Sequence, residues 1–172
     1  ATPDHWHMIP FMSACAAEKD IYIEVPLAPT MLEAAAMAYA TRKYKRVVQV
    51  GLQQRSARVF AEAGGIIRSG TMGTIAQTRT WSFARQSPMT REQDGSAPAT
   101  LDYDRWLGPA PQRAYNAARV QHPEHFWDYG GGEATLWNMQ LQDLVNTAMR
   151  VTMPVSVVAV GGNHALDDGR ET

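Results

Sequence analysis

Several features that define other protein classes are scarce or missing in this 172-residue sequence. Its single cysteine, Cys15, cannot form an intrachain disulfide, so packing alone must hold the fold. Sixteen Lys and Arg are balanced by 17 Asp and Glu without a dense basic run, which argues against binding nucleic acid or a membrane through bulk charge. No apolar run reaches the roughly 18 residues of a membrane span, and the first residues lack a targeting pattern. We expect a soluble, packed protein whose compartment the sequence leaves open.

The glycine patterns do not match a phosphate-binding loop. Gly130 and Gly132 lack the third glycine of a dinucleotide fingerprint, and they follow an aromatic stretch instead of a strand. Gly65 and Gly70 have the spacing of a P-loop, but Thr71 and Met72 occupy the positions that require Lys and Ser or Thr. The sequence therefore gives no direct indication of nucleotide binding.

The first third of the chain alternates β-type runs with helical patterns. Residues 21–25 and 47–50 are rich in β-branched side chains, and Pro26 or Gly51 follows each run. The spacing of apolar residues predicts helices over residues 7–19, 31–43 and 55–68. Because parallel strands need crossover connections, this alternation predicts a parallel α/β layer.

The remainder of the chain has a different pattern. Residues 75–83 and 155–160 have the composition of strands, and a helix of about 15 residues is predicted from Thr135. Residues 85–133 are rich in Pro, Gly, Asp and aromatics, and the aromatics predict an ordered, packed loop. The change of architecture places a domain boundary near Gly73.

Three segments are expected to meet at the C-terminal edge of the parallel layer, where open α/β sheets bind ligands. The three segments are residues 2–7, 24–26 and 51–55. In the last of these, Gln53, Gln54 and Arg55 offer amide and guanidinium groups suited to hydroxyls or carboxylates. A solvated loop is the alternative interpretation of the same residues.

Two histidines lie in the first segment, separated by Trp6. His5 and His7 would bind a metal only if other parts of the chain supplied further ligands, for which His122 and His125 are candidates. The favoured interpretation needs no metal: one histidine hydrogen-bonds within the loop, and the other caps the following helix.

Five stretches of the chain together resemble the glucose–fructose oxidoreductase and inositol dehydrogenase (Gfo/Idh/MocA) family. They are residues 1–7, 22–27, 48–56, 102–111 and 127–132. The block Trp-Leu-Gly-Pro-Ala-Pro that begins at Trp106 and the block Trp-Asp-Tyr-Gly-Gly-Gly that begins at Trp127 are specific in combination. The stretches occur in the family's order and nearly its spacing.

The resemblance implies an α/β fold in two parts. Residues 1–73 would form a partial Rossmann-like parallel layer, and residues 74–172 a partial α+β open-sheet domain for substrate and oligomer contacts. The chain resembles an internal fragment, without the family's opening unit that carries the glycine-rich dinucleotide loop. NAD(P) is the family's cofactor, but we expect none to bind this chain alone. Unpaired strand edges predict a homo-oligomer.

The resemblance also locates the family's proton-transfer positions. The catalytic lysine, aspartate and histidine of the family correspond here to Val25, Leu136 and Gln140. None of these side chains can move a proton, which predicts loss of general acid–base catalysis. The family pattern further predicts a cis peptide before Pro26.

The resulting hypothesis is a catalytically degenerate oxidoreductase relative that binds a sugar- or polyol-like ligand or a partner chain. The predicted ligand-binding residues are His5, Trp6, His7, Glu24, Pro26, Gln53, Gln54, Arg55, Trp106, Tyr129 and Gln140. The alternative is an active NAD(P)-dependent sugar or polyol oxidoreductase completed by another chain, or an enzyme that uses a metal at His5 and His7.

Overall fold

Helices dominate the computed structural model, which describes residues 1–82, 88–162, 164 and 166–172. The helices are α1 Met8–Ala16, α2 Met31–Tyr44, α3 Arg58–Arg68, α4 Tyr103–Leu107, α5 Ala117–Gln121, α6 Gly132–Leu136 and α7 Asn138–Met149. The strands are β1 Ile21–Ile23 and β2 Val48–Val50, and 3-10 turns lie at Asp4–Trp6, Gln53–Ser56 and Pro123–His125.

The two strands form a parallel pair, as the alternating pattern predicts. Ile21 lies opposite Val48 and Ile23 opposite Val50, with α2 as the crossover between them. Helices α1 and α2 pack together and form a first core cluster with the sheet. Its buried members are Phe11, Cys15, Ile23, Met37 and Ala40. The mixed α/β class predicted from the sequence is confirmed.

Capping residues mark both ends of helix α2. The Thr30 hydroxyl accepts a hydrogen bond from the Glu33 amide at 3.3 Å, which satisfies one of the free N–H groups of the first turn. The helix ends at Tyr44, and the following residue, Lys45, caps it with a left-handed backbone.

A second core cluster lies in the stretch predicted to be a packed loop. Leu107, Ala110, Phe126 and Tyr129 are buried together. Helices α4 and α5 occur within this stretch, so its description as a loop is wrong, whereas its predicted packing is confirmed. Residues 85–87 of the stretch lie outside the described residues.

The strands predicted over residues 75–83 and 155–160 are wrong. Neither segment pairs with a strand in the portions of the chain that the structure describes, and Phe83 lies outside those portions. Val155 and Val160 are almost completely exposed. β-Branched residues favour a strand, but a strand also needs a hydrogen-bonded neighbour, and these segments have none among the described residues.

Two predicted helices differ in their boundaries. The third begins at Arg58 because its expected first turn is the 3-10 turn at residues 53–56. The helix expected from Thr135 is instead two helices, α6 and α7, which meet at Trp137. Helix α7 packs against α3 and against this 3-10 turn.

Candidate functional site

The three segments expected at the C-terminal edge of the sheet are in contact. His7 Nδ1 lies 2.7 Å from the Pro26 carbonyl oxygen, which joins the first segment to the second. A Cβ at Gly51 would lie 2.7 Å from Glu24 Oε2, so the second and third segments touch at that glycine. The predicted convergence is confirmed, and the peptide between Val25 and Pro26 is cis as predicted.

His7 is buried between two backbone carbonyls. Besides Nδ1 at Pro26, its Nε2 lies 3.0 Å from the Thr2 carbonyl oxygen. The residue immediately precedes α1, but its side chain makes no capping hydrogen bond, so the prediction that a histidine caps this helix is wrong. The hydrogen-bonding role predicted for the loop is the one that His7 has.

His5 and Trp6 both contact one carbonyl of the second core cluster. His5 Nε2 lies 3.0 Å from the Trp106 carbonyl oxygen, and Trp6 Nε1 donates to the same oxygen at 2.9 Å. Gly108 has a left-handed backbone, and a Cβ there would overlap the Trp6 indole. The beginning of the chain is thereby held against the block that begins at Trp106.

An aromatic group surrounds His5. The rings of Trp106 and Tyr129 meet edge to face at 4.9 Å between centroids, and each lies 5.2 Å from the His5 ring. Burial lowers the pKa of His5 below its ordinary value, an effect that its backbone hydrogen bonds reduce. Neighbouring Asp4 has a raised pKa, chiefly because it is buried, although His7 acts in the opposite sense.

A second group of polar side chains joins the third segment to α7. Gln140 is 8% exposed, and its Nε2 donates to Gln53 Oε1 at 3.1 Å. Gln140 Oε1 is buried without a hydrogen-bond partner among the described residues. Next to this pair, Arg55 Nε donates to Asp143 Oδ2 at 2.8 Å, and this contact raises the pKa of Arg55.

Asp143 is the residue of this group that the predicted ligand set omits. It lies three positions after Gln140 on α7, so the helical spacing places both on neighbouring parts of one face. The helical spacing from Gln140 was the sequence signal that could have identified Asp143. Its ion pair with Arg55 makes the carboxylate part of the site.

The remaining predicted residues differ in their burial. Val25, Leu136 and Gln54 are half-buried, Pro26 is buried, and Glu24 is exposed. Leu136 ends α6 whereas Gln140 lies in α7, so their four-residue spacing crosses the junction at Trp137. The site thus contains hydrogen-bonding amides and an ion pair, with apolar side chains at two of the three family catalytic positions.

The portions of the chain that are described hold no group of three or more His, Cys, Asp or Glu side chains arranged to hold a metal. The ring nitrogens of His7 and Nε2 of His5 face carbonyl oxygens. None of the helices within the described ranges is long and apolar enough to span a membrane.

Comparison with known proteins identifies the family of this chain. The family profile for the oxidoreductase family, C-terminal alpha/beta domain, matches residues 65–161, which is more than half of the chain. The chain belongs to the Gfo/Idh/MocA oxidoreductase family.

Individual relatives match parts of the chain. Dehydrogenase aclE from Aspergillus oryzae is 37% identical over 67 residues, which is 39% of this chain and 18% of that protein. The WlbA dehydrogenase from Bordetella pertussis, solved with NADH and UDP-GlcNAcA, has a TM-score of 0.54 at 17% identity, covering 86% of this chain and 37% of its own. An oxidoreductase domain protein from Kribbella flavida has a TM-score of 0.54 at 24% identity, and the match covers 87% of this chain and 34% of the Kribbella chain.

These similarities show the fold, and they are partial in length. The chain spans about a fifth of the curated relative and about a third of the two solved structures. At identities below 25%, the solved structures do not transfer a ligand to this chain.

The described residues do not fit the pyrophosphate of a dinucleotide. Such a group needs backbone N–H groups at a glycine-rich turn that leads from a strand into a helix. After β1 the chain continues with Glu24, Val25 and Pro26, and after β2 it continues with Gly51 and a 3-10 turn. Neither junction supplies a pyrophosphate cradle.

Proposed function

We propose that the C-terminal edge of the sheet binds a ligand rich in hydroxyl groups, such as a sugar or polyol, without catalysing proton transfer. The observation that carries this proposal is Gln140 Oε1, a buried acceptor without a hydrogen-bond partner among the described residues. An unpaired buried amide oxygen costs about 1–3 kcal/mol, and a ligand hydroxyl would remove that penalty by donating to it. Such a penalty is typical of a site that is completed by its ligand.

The neighbours of Gln140 support the same ligand chemistry. Its own Nε2 is held by Gln53, which fixes the direction of the amide. The Arg55–Asp143 pair beside it carries no net charge, so this part of the site favours an uncharged ligand over an anion. Planar amides that both donate and accept are suited to hydroxyl groups, which do the same.

The side chains at the family's catalytic positions argue against dehydrogenase activity. Val25 and Leu136 have no ionisable group, and an amide such as Gln140 cannot act as a general base at neutral pH. General acid–base catalysis contributes about 10²- to 10⁴-fold to a rate, so the loss of all three groups leaves hydride transfer too slow to be useful. NAD(P) use by this chain would require that other residues supply the pyrophosphate site.

Binding can be tested by calorimetric titration of the whole chain with D-glucose, D-xylose and myo-inositol. Gln140→Leu removes the free acceptor, and we expect it to weaken binding about tenfold or more. Gln142→Leu is the matched control, because Gln142 is exposed on the same helix and bonds to Asn146. Equal losses in the two variants, or none in either, would contradict the proposal.

A second experiment addresses the alternative of an active enzyme. The triple variant Val25→Lys, Leu136→Asp, Gln140→His restores the proton-transfer groups that the family has. We expect no polyol-dependent reduction of NAD⁺ or NADP⁺ by the variant, because the residues that the structure describes still offer no cradle for the pyrophosphate. Reduction above the wild-type rate would show that a cofactor site is present.

We also propose that the chain forms a homo-oligomer. Val155, Val157, Val158 and Val160 are all exposed within one short segment, and large exposed apolar surfaces favour association. Light scattering during size exclusion at micromolar concentration should give a mass that is a multiple of 19.0 kDa. A monodisperse monomer would refute this part of the proposal.

Finally, we propose that the chain divides near Gly73 into residues 1–73, which belong to a Rossmann-like nucleotide domain, and residues 74–172, which belong to a substrate domain. The first core cluster lies wholly before this position and the buried members of the second wholly after it. Limited proteolysis should cleave between the clusters first. Initial cleavage within α2 would contradict this division.

A further inference from the structure

We propose that residues 167–172 form an acid-sensitive strap, which is held on the 3-10 turn Pro123–His125 while His125 is neutral and is released when His125 takes up a proton. Two residues of the strap, Asp168 and Gly169, line a cleft of about 500 Å³. Release of the strap therefore removes part of the wall of this cleft. The strap is separate from the sheet-edge site, none of whose residues lines the cleft.

Glu171 and Thr172 attach the strap to the turn. The Glu171 amide donates to the His125 carbonyl oxygen at 2.9 Å, and the Thr172 hydroxyl donates to the Glu124 carbonyl oxygen at 3.1 Å. The Glu171 carboxylate also accepts a hydrogen bond from the Trp127 amide at 3.1 Å. Three hydrogen bonds thus join the strap to residues 124–127, and a movement of His125 that displaced the turn would break them.

A buried ion pair fixes the rest of the strap. Asp168 and Arg170 are both buried, and the Asp168 carboxylate accepts from Arg170 Nε at 2.9 Å and from Arg170 Nη2 at 2.8 Å. The Met89 amide donates to Asp168 Oδ2 at 2.7 Å. Arg170 and this amide hold the pKa of Asp168 below its ordinary value, so this carboxylate stays ionised in mildly acidic solution. Asp168 is therefore not the group that responds between pH 7.5 and 5.5.

The His125 ring is placed where a proton is costly. His125 is 8% exposed, and its Nδ1 is buried without a hydrogen-bond partner among the described residues. A protonated imidazole carries an N–H donor on both nitrogens, and a buried donor without an acceptor costs free energy. The charged ring would therefore have to move toward water, and the turn that holds the strap would move with it.

Charged groups face His125 from the strap, from the turn and from α6. Burial and the charge of Arg170 lower the pKa of His125 below its ordinary value, and His122 acts in the same sense. Glu124 and Glu133 act in the opposite sense, and Glu124 Oε1 lies 3.9 Å from His125 Nε2. Because Arg170 belongs to the strap, protonation of His125 places two positive charges in the closed arrangement that separate when the strap is released.

The direction of the pH effect follows from the lowered pKa. In the open strap the ring reaches water, and its pKa returns to about 6.5. Closure is therefore fully stabilised above about pH 6.5 and weakens as the pH falls below that value. One proton changes the ratio of open to closed strap by up to about tenfold per pH unit, so the ratio should rise by up to about tenfold between pH 7.5 and 5.5.

Hydrogen exchange of the whole chain, followed by NMR and corrected for the intrinsic exchange rate at each pH, tests the proposal. The Glu171 amide reports on the strap, and the Ile21 amide, which is bonded to Val47 in the first core cluster, reports on the rest of the fold. Protection of Glu171 should fall several-fold between pH 7.5 and 5.5, and more than protection of Ile21. His125→Gln should abolish this difference, whereas His122→Gln, an exposed neighbour, is the matched control and should retain it.

Glu124→Gln tests the same device without altering the histidine. It removes a carboxylate that stabilises the charged ring in the closed arrangement, so the fall in Glu171 protection should become larger. The inference is overturned if Glu171 is unprotected at pH 7.5, if Glu171 and Ile21 lose protection by the same factor, or if His125→Gln retains the wild-type response. An equal or smaller fall in Glu124→Gln would also overturn it.

Discussion

Gln140 offers the sharpest test of whether the sheet edge is a binding site, because a binding role and a structural role predict opposite effects on stability. The perturbation is Gln140→Leu, which replaces the amide by an apolar side chain of similar size. The variant loses one hydrogen bond, from Nε2 to Gln53 Oε1, and it also removes the unpaired Oε1. Gln53 itself is exposed, so water can satisfy the oxygen that it is left with.

The expected magnitude follows from these two changes. Loss of the hydrogen bond costs about 0.5–1.5 kcal/mol, and removal of an unsatisfied buried acceptor regains about 1–3 kcal/mol. The variant should therefore be as stable as the wild type or more stable by up to about 2 kcal/mol. A residue that reduces stability where it stands is a mark of function, since binding sites retain groups that a purely structural core would replace.

Urea unfolding monitored by tryptophan fluorescence measures the free energy of unfolding, and Gln142→Leu serves again as the control. We expect Gln140→Leu to keep or gain stability while losing ligand binding. A loss of more than about 1 kcal/mol together with unchanged binding would refute the reasoning, because Gln140 would then be a structural residue.

Three further predictions concern the fold that supports the site. Leu107→Ala should cost about 2–5 kcal/mol because Leu107 is completely buried, whereas Leu32→Ala, at a position that is 81% exposed, should stay within about 0.5 kcal/mol; urea unfolding that gave both the same value would contradict this. Burial lowers the pKa of His5 and His125, so unfolding takes up protons, and the free energy of unfolding should fall as the pH decreases through 6.5; equal values at pH 7.5 and 5.5 would disprove it. Thr30→Ala should lower the unfolding free energy by about 1 kcal/mol, as measured by urea unfolding, and rescue by Thr30→Ser would show that the cap is the cause.

The parts of the fold that could be predicted from sequence are those with local signals. Helix α2 carries a capping threonine and a regular apolar spacing, and its predicted span of residues 31–43 is within one residue of the structure. The parallel pairing of β1 and β2 follows from the helix between them. The strand predicted over residues 155–160 is wrong because a strand needs a hydrogen-bonded neighbour, and the composition of a segment does not indicate whether one is present.

In the candidate site, too, features with a local sequence signal could be predicted and contacts between distant residues could not. Convergence of three segments could be predicted from the rule that loops at the C-terminal ends of parallel strands meet, and contacts of His7 and Glu24 confirm it. The pairing of Arg55 with Asp143 could not be predicted, because the partners are 88 residues apart in sequence and are brought together by packing of α7 on the 3-10 turn. Distant polar partners leave no periodicity in a sequence.

The carbonyl oxygen of Trp106, which accepts hydrogen bonds from both His5 and Trp6, has a consequence for how the protein unfolds. His5 and Trp6 lead directly into α1 of the first core cluster, and Trp106 belongs to the surroundings of the second. Separation of the two clusters would expose this carbonyl and both of its donors, and the absence of a side chain at Gly108 is what gives the Trp6 indole its place. Melting of the two clusters is consequently coupled, and calorimetry should record one cooperative transition in place of two.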